Sequence, residues 1–278
     1  MAEPAIKVRK MEIDFSDAKV HWSAGQPEHS QLWNGMSIAV PYLEPFLLKA
    51  MRQLKDKVPA DMEELRKDID MFVAQEARHF KLHIKSNKRL HEEGYDIGDL
   101  EAKAKADYER FFKKGLKFSL AYCEGFETFG PILAGYFFEG VPDLMEDWDE
   151  ASCFLWMWHI AEEWEHRTVA NYTYKTIYDD YWYRIYGLWY AMLHLFSFMY
   201  RAGYRMIRQD RRTGVIADRW KSHVRLAKVT GRLLGYMMPR VLFHAQRRDY
   251  DPGKIPPPPN VMKMLDQTSE KYGILQPA

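Results

Sequence analysis

Helical periodicity runs through nearly the whole chain, and no stretch alternates apolar and polar residues as a half-buried strand does. The pattern predicts a first helix opening at Pro41, where a missing N–H costs nothing, and ending near Lys57. A second starts with Asp61 as its N-cap and ends in the HEEGYD stretch. A third covers Leu100 to Phe138, a fourth Asp143 to Tyr178, a fifth Tyr181 to Asp210 and a sixth Val215 to Arg248. The first 35 residues read as irregular. The DPGKIPPPPN stretch must be extended, because consecutive prolines cannot form a helix, and it is expected to wrap back over the domain. The fold class expected is all-α: a four-helix core in residues 1–180, with two further helices and a proline-rich tail in 181–278 packed on the same domain.

The second helix breaks its own apolar rule. In steps of three and four its seam reads Leu65, Ile69, Phe72, Glu76, His79, His83, Asn87, Leu90. A carboxylate in such a seam is expensive unless it is paired or binds a metal, and Glu76 and His79, three apart, can reach one point beside the helix. The fourth helix mirrors this with Leu155, His159, Glu162, His166, Val169 and, one step round, Glu163. The first helix adds Glu44 before Leu47, Leu48 and Met51. The third adds Glu124 on the stripe of Leu116 and Leu120, with Glu127 three residues on as the alternative. Four helices each giving a glutamate, two of them as Glu-x-x-His, match a di-metal carboxylate bundle. The ligand set is then Glu44, Glu76, His79, Glu124, Glu163 and His166, with His83 and His159 as extra ligands or as hydrogen-bonding partners of the ligands, as Asn87 would be. Glu162 reads as a supporting acid or general base, Glu127 as a ligand or general base, and Glu165 as a solvated residue. The oxygen and imidazole donors suit two iron ions, or manganese, and zinc less obviously.

Charge changes the picture in one place. Residues 201–248 carry 13 Lys/Arg against Asp210 and Asp218, a balance of +11 that leaves −10 for the rest of the chain. This is either a solvated basic face pairing with the acidic remainder or a surface for an anionic membrane, partner or substrate. Residues 185–200 hold no Asp, Glu, Lys or Arg, but that run is short for a membrane span, which wants about 20 residues. It suits a core or homodimer-interface helix, or one lying at a membrane surface. No motif supports nucleic-acid binding. Two cysteines are too few for a disulfide framework and suit a cytoplasmic protein, as does the lack of an apolar core in MAEPAIKVRKMEIDF.

Four stretches, NGMSIAVPYLEPF (34–46), FVAQEARHFKLHIKSN (72–87), CEGFE (123–127) and LWMWHIAEEWEHRTVANYTY (155–174), resemble a bacterial family described as predicted metal-dependent hydrolases, among the ferritin-like helical proteins. The chain departs from that family's pattern at Leu43, where a glycine is usual. It departs again in Glu124-Gly125-Phe126-Glu127, where the family tends to have Glu-His-Phe-Thr. The resemblance implies a ferritin-like bundle and a metal-dependent enzyme.

Two activities follow as expectations. The four-Glu, two-His set is the one ferritin-like oxygenases use, which points to an oxygen-activating di-iron oxidoreductase. Its substrate would be an apolar or aromatic small molecule, and its external electron donor a separate partner, since no nicotinamide or flavin fingerprint is present. The alternative is a metal-dependent hydrolase using a metal-activated water, with Glu127 or Glu162 as general base.

Overall fold

The computed structural model describes residues 5–23, 25–144 and 149–275. Among them the chain is all-α, and an isolated antiparallel bridge pairs Arg9 with Ile274. The core helices are α1 (Pro27–Lys55), α2 (Glu63–Glu92), α3 (Gly98–Phe112), α4 (Leu116–Glu127), α5 (Phe129–Gly135), α6 (Glu150–Glu165) and α7 (Val169–Ile177). Beyond them lie α8 (Tyr181–Thr213), α9 (Arg219–Arg240) and α10 (Val261–Tyr272). The bundle is formed by α1, α2, the α4–α5 pair and the α6–α7 pair. On its outside α8 packs along α1 and α4, and α9 against α1 and α5.

Where the elements differ from expectation, backbone chemistry gives the reason. The first helix starts at Pro27, not Pro41, because Pro27 fills the first-turn position where no N–H is needed. Pro41 and Pro45 instead sit inside α1. Asp61 is not the cap of α2; that position falls to Met62, whose side chain makes no capping bond. The long third helix is interrupted at Gly115, whose φ of +94° is in the left-handed region that glycine alone enters cheaply. The expected fourth helix is two: α6 is capped by the Asp149 carboxylate, which accepts from the Ser152 N–H, and a turn at 166–168 separates it from α7. The early part of that expected helix, 145–148, lies outside the described residues. The sixth helix begins later than expected, where the Asp218 side chain accepts from the Lys221 N–H. After the proline run the tail forms an unforeseen helix, α10, which packs on α6.

The N-terminal segment is ordered by the same end of the bundle. Its strand-like residues run beside the chain after α10, with Lys10 N–H donating to Gly273 O (3.0 Å) and Leu275 N–H to Val8 O (2.8 Å). This carries Arg9 between α10 and the C-terminal end of α6, where it is 1% exposed.

Candidate metal centre

The polar seam is buried as a unit. Glu44, Glu76, His79, His83 and His166 are fully enclosed, and His159 and Glu163 nearly so. Two groups of donor atoms form, each within 4.8 Å of one another: Glu44, His79, His159 and Glu163, and Glu76, Glu127, Glu163 and His166. Glu163 belongs to both. Gly130 in α5 lets it stand there: a Cβ at that position would lie 3.0 Å from both Cβ and Oε2 of Glu163.

The hydrogen-bond network fixes where each imidazole keeps its proton. Pro41 has no N–H to give to the carbonyl four residues back, so Ser37 O is free and accepts from Asn87 Nδ2 (2.7 Å). That orients the Asn87 amide, whose oxygen then accepts from Ser37 Oγ (2.6 Å). The hydroxyl, its proton spent, accepts from His83 Nδ1 (2.7 Å), and His83 Nε2 accepts from His159 Nδ1 (2.8 Å). His159 Nε2 is therefore a bare lone pair, 2.9 Å from Glu163 Oε1 and 3.5 Å from Glu44 Oε1. His79 Nε2 donates to Glu162 Oε2 (3.1 Å), which leaves Nδ1 bare, 3.3 Å from Glu76 Oε1. Gln75 donates its amide nitrogen to Glu165 Oε2 and Lys7 O, so its oxygen accepts from His166 Nδ1 (2.8 Å). His166 Nε2 then faces Glu127 (3.2 Å), Glu76 (3.3 Å) and Glu163 (3.4 Å).

Three inner nitrogens thus point at four carboxylates, those of His159 and His79 as bare lone pairs and that of His166 drawn to a proton by Glu163 and Glu127. Both oxygens of Glu44, Glu76 and Glu127, with Glu163 Oε2, His79 Nδ1 and His166 Nε2, have no hydrogen-bond partner. Buried polar atoms are rarely left so, and carboxylates least of all. Burial and then the neighbouring Glu163 charge push Glu76 up to about 8, and burial with the surrounding glutamates raises Glu44 and Glu127 well above the usual carboxylate range. Glu163 itself is held below that range, because His166 and His159 outweigh its burial. At His166 burial is overcome by Glu163 and Glu127, which raise its affinity for a proton, whereas burial and then His79 lower that of His159. The cluster calls for positive charge between its oxygens and nitrogens, and protons supply it only in part. The donors, carboxylate oxygens and imidazole nitrogens, fit divalent cations.

Of the residues singled out in the sequence, Glu44, Glu76, His79, Glu163, His166 and His159 come together here. Glu124 does not. It points away from the cluster, its Oε1 accepting from Asn171 Nδ2 (2.7 Å) and Arg184 Nη1 (3.1 Å). The alternative, Glu127 at the last turn of α4, lies in the cluster instead: three residues on, it sits about 60° round the helix from Glu124, enough to face the cluster while Glu124 is held by Arg184 and Asn171. His83 contacts His159 rather than the carboxylates. Glu162 has no spare oxygen for general-base work: Oε1 accepts from Arg9 (2.8 Å) and Oε2 from His79, and these partners hold its carboxyl below the usual range against its burial. Glu165, expected in solvent, is 4% exposed and bidentate with Arg9. Arg9, Gln75 and Ser37 were missed. Gln75 adjoins Glu76 and Ser37 lies two turns before Glu44, but nothing in the sequence marks Arg9.

A family model described as predicted metal-dependent hydrolase matches residues 7–255. The chain belongs to this family. The match spans every residue of the cluster and Arg9 as well. No curated protein matches the chain, and no solved structure does. The family's description backs the hydrolytic alternative better than oxygen activation, which the donor types alone had put first. It agrees with the buried Glu/His groups in requiring a metal.

Proposed function

We propose that the protein is a hydrolase working with two divalent cations on either side of Glu163. Glu44, His79 and His159 would hold one, and Glu76, Glu127 and His166 the other. The observation that carries this is the set of buried oxygens and bare nitrogens with no partner but each other. A bound divalent pair lowers the pKa of a water and polarises the group to be cleaved. The chain's own residues do the rest. Arg9, Gln75, Ser37 and Asn87 keep the imidazole protons on the outer nitrogens and so hold the inner ones ready.

On the α8 side, an apolar cavity of about 30 Å³ touches His159 and Glu163, lined otherwise by Trp33, Met36, Phe129 and Phe196 among apolar neighbours. It holds no cation for a phosphate. A small apolar ester or amide is the substrate class this wall favours, and binding it displaces half-buried side chains such as Phe126 and Phe196. The test is anaerobic hydrolysis of short-chain aryl esters and anilides by protein reloaded with Mn²⁺, Zn²⁺ or Fe²⁺. Turnover that a chelator stops supports the reading; its absence with every metal overturns it.

One observation favours a second reading. The cluster is glutamate-rich and has no aspartate, the composition of oxygen-activating iron bundles. Oxygen consumption on adding Fe²⁺ and a reductant, with no hydrolysis, would select it, and would call for an external electron donor.

A further inference from the structure

The exposed apolar side chains of this molecule are concentrated on α8, α9 and the turn after α9. Ten of the thirteen large hydrophobics exposed among the described residues lie between positions 182 and 243. The most exposed are Trp182 (69%), Leu193 (65%), Trp220 (77%) and Phe243 (68%). On α8, Trp182, Tyr186, Leu193 and Tyr200 follow steps of four and seven and so form one stripe, and the exposed Arg201, Arg208 and Arg212 form a second, about a quarter-turn round the helix. On α9, Trp220, Val224 and Lys228 do the same. The inner sides of both helices are spent on α1, α4 and α5. The helices part at Gly214, and the chain after α9 returns to the start of α8, where Arg248 lies over the Tyr181 ring and Tyr181 Oη donates to Gln246 O (2.8 Å).

The cations of this region divide into two sets. Arg205, Arg225 and Arg232 pair with Asp99, Glu28 and Asp143, as a face neutralised by the rest of the chain would. Arg201, Arg208, Arg212, Arg219 and Lys228 are exposed and have no acidic partner among the described residues. Exposed tryptophans beside unpaired arginines suit a surface that is apolar below and anionic above. A second copy of this chain docked face to face would set these cations against themselves, and a nucleic acid offers no apolar phase for Trp182, Trp220 and Phe243. No described helix is long and apolar enough to cross a membrane. We propose that the outer face of α8 and α9 docks the protein on the surface of an anionic bilayer, Trp182, Trp220 and Phe243 entering the headgroup layer and the free arginines pairing with its phosphates.

The test is flotation of the full-length protein with vesicles of phosphatidylcholine alone, or of phosphatidylcholine mixed equally with phosphatidylglycerol. Light scattering gives its mass in solution. The protein should float with the mixed vesicles only, with a blue shift of tryptophan emission, and high salt should weaken the binding. Trp220→Glu with Phe243→Glu should abolish flotation. Arg208→Glu with Arg212→Glu should weaken it at least about tenfold. Circular dichroism of each variant should match the parent, since all four side chains are exposed. No flotation of the parent protein would overturn the proposal. So would a dimer that the Trp220/Phe243 variant dissociates without any vesicle binding, which would make the face a self-interface, and so would retention on nucleic acid in place of lipid.

Discussion

Glu162 and Glu163 are neighbours in α6, both buried, yet their surroundings are opposite. Glu162, with Glu165, is closed off by Arg9, His79 and Gln75, every oxygen accepting a hydrogen bond. Glu163 faces Glu44, Glu76 and Glu127, whose oxygens have no donor at all. A weaker form of the contrast recurs in α4 between Glu124, whose Oε1 accepts from both Arg184 and Asn171 while its Oε2 has no partner, and Glu127, which has no donor on either oxygen. A protein able to supply arginines and amides to one set of buried acids has withheld them from the other. The paired set is scaffold; the unpaired set is complementary to cations that arrive from outside.

The comparison breaks most visibly at Glu163. Glu163→Ala should take metal content from two per chain to none, as measured by elemental analysis, because both groups share it. Glu127→Ala should leave one, whereas Glu124→Ala should keep two and lose thermal stability instead, with Arg184 deprived of its carboxylate. Two metals in Glu127→Ala would return the third-helix ligand to Glu124. Arg9→Ala should cost about 3–5 kcal/mol in denaturant unfolding, since it strands two buried carboxylates. A loss under 1 kcal/mol would mean that Glu162 and Glu165 were never paired as described. His83→Phe removes the acceptor of the His159 Nδ1 proton, and should weaken metal binding about 10–100-fold in competition with a chelator, leaving two sites.

The smallest effect sharpens the electrostatic side. In metal-free protein, Glu76 binds its proton up to about pH 8 when folded, but up to only about 4.5 when unfolded. Between those values the unfolded chain has released a proton that the fold retains, so stability falls as pH rises through this window. Glu44, Glu127 and His166, all raised, act in the same direction. The depressed Glu163 contributes oppositely, and only below its ordinary range, while the buried His29, His83 and His159, all lowered by burial, oppose the trend up to about pH 6.5. The melting temperature of metal-free protein should therefore drop from about pH 6.5 to pH 8, and that of metal-loaded protein should not. Parallel curves would show that metal does not replace those protons.

The seam of α2 was fully legible, from Leu65 through Glu76 and His83 to Leu90, because a buried helix face has a fixed period and polar residues stand out on it. α6 was legible for the same reason. What hid was whatever depends on contacts between distant segments. Choosing between Glu124 and Glu127 needed the rotation of α4 about its axis, which Arg184, 60 residues away, helps to set. Arg9 lay in a stretch without periodicity and takes its place only because the tail returns beside it. Pro41 read as a helix start, since a proline inside a helix is costly, but here the carbonyl it frees anchors Asn87.

The most direct test of the account is anomalous X-ray scattering from crystals of the protein loaded with manganese or iron. Two peaks flanking the Glu163 carboxylate, one near His79 and His159 and the other near His166, are the predicted result. No peak at the cluster under saturating metal, or a single metal held at Glu124 or Glu162, would contradict it.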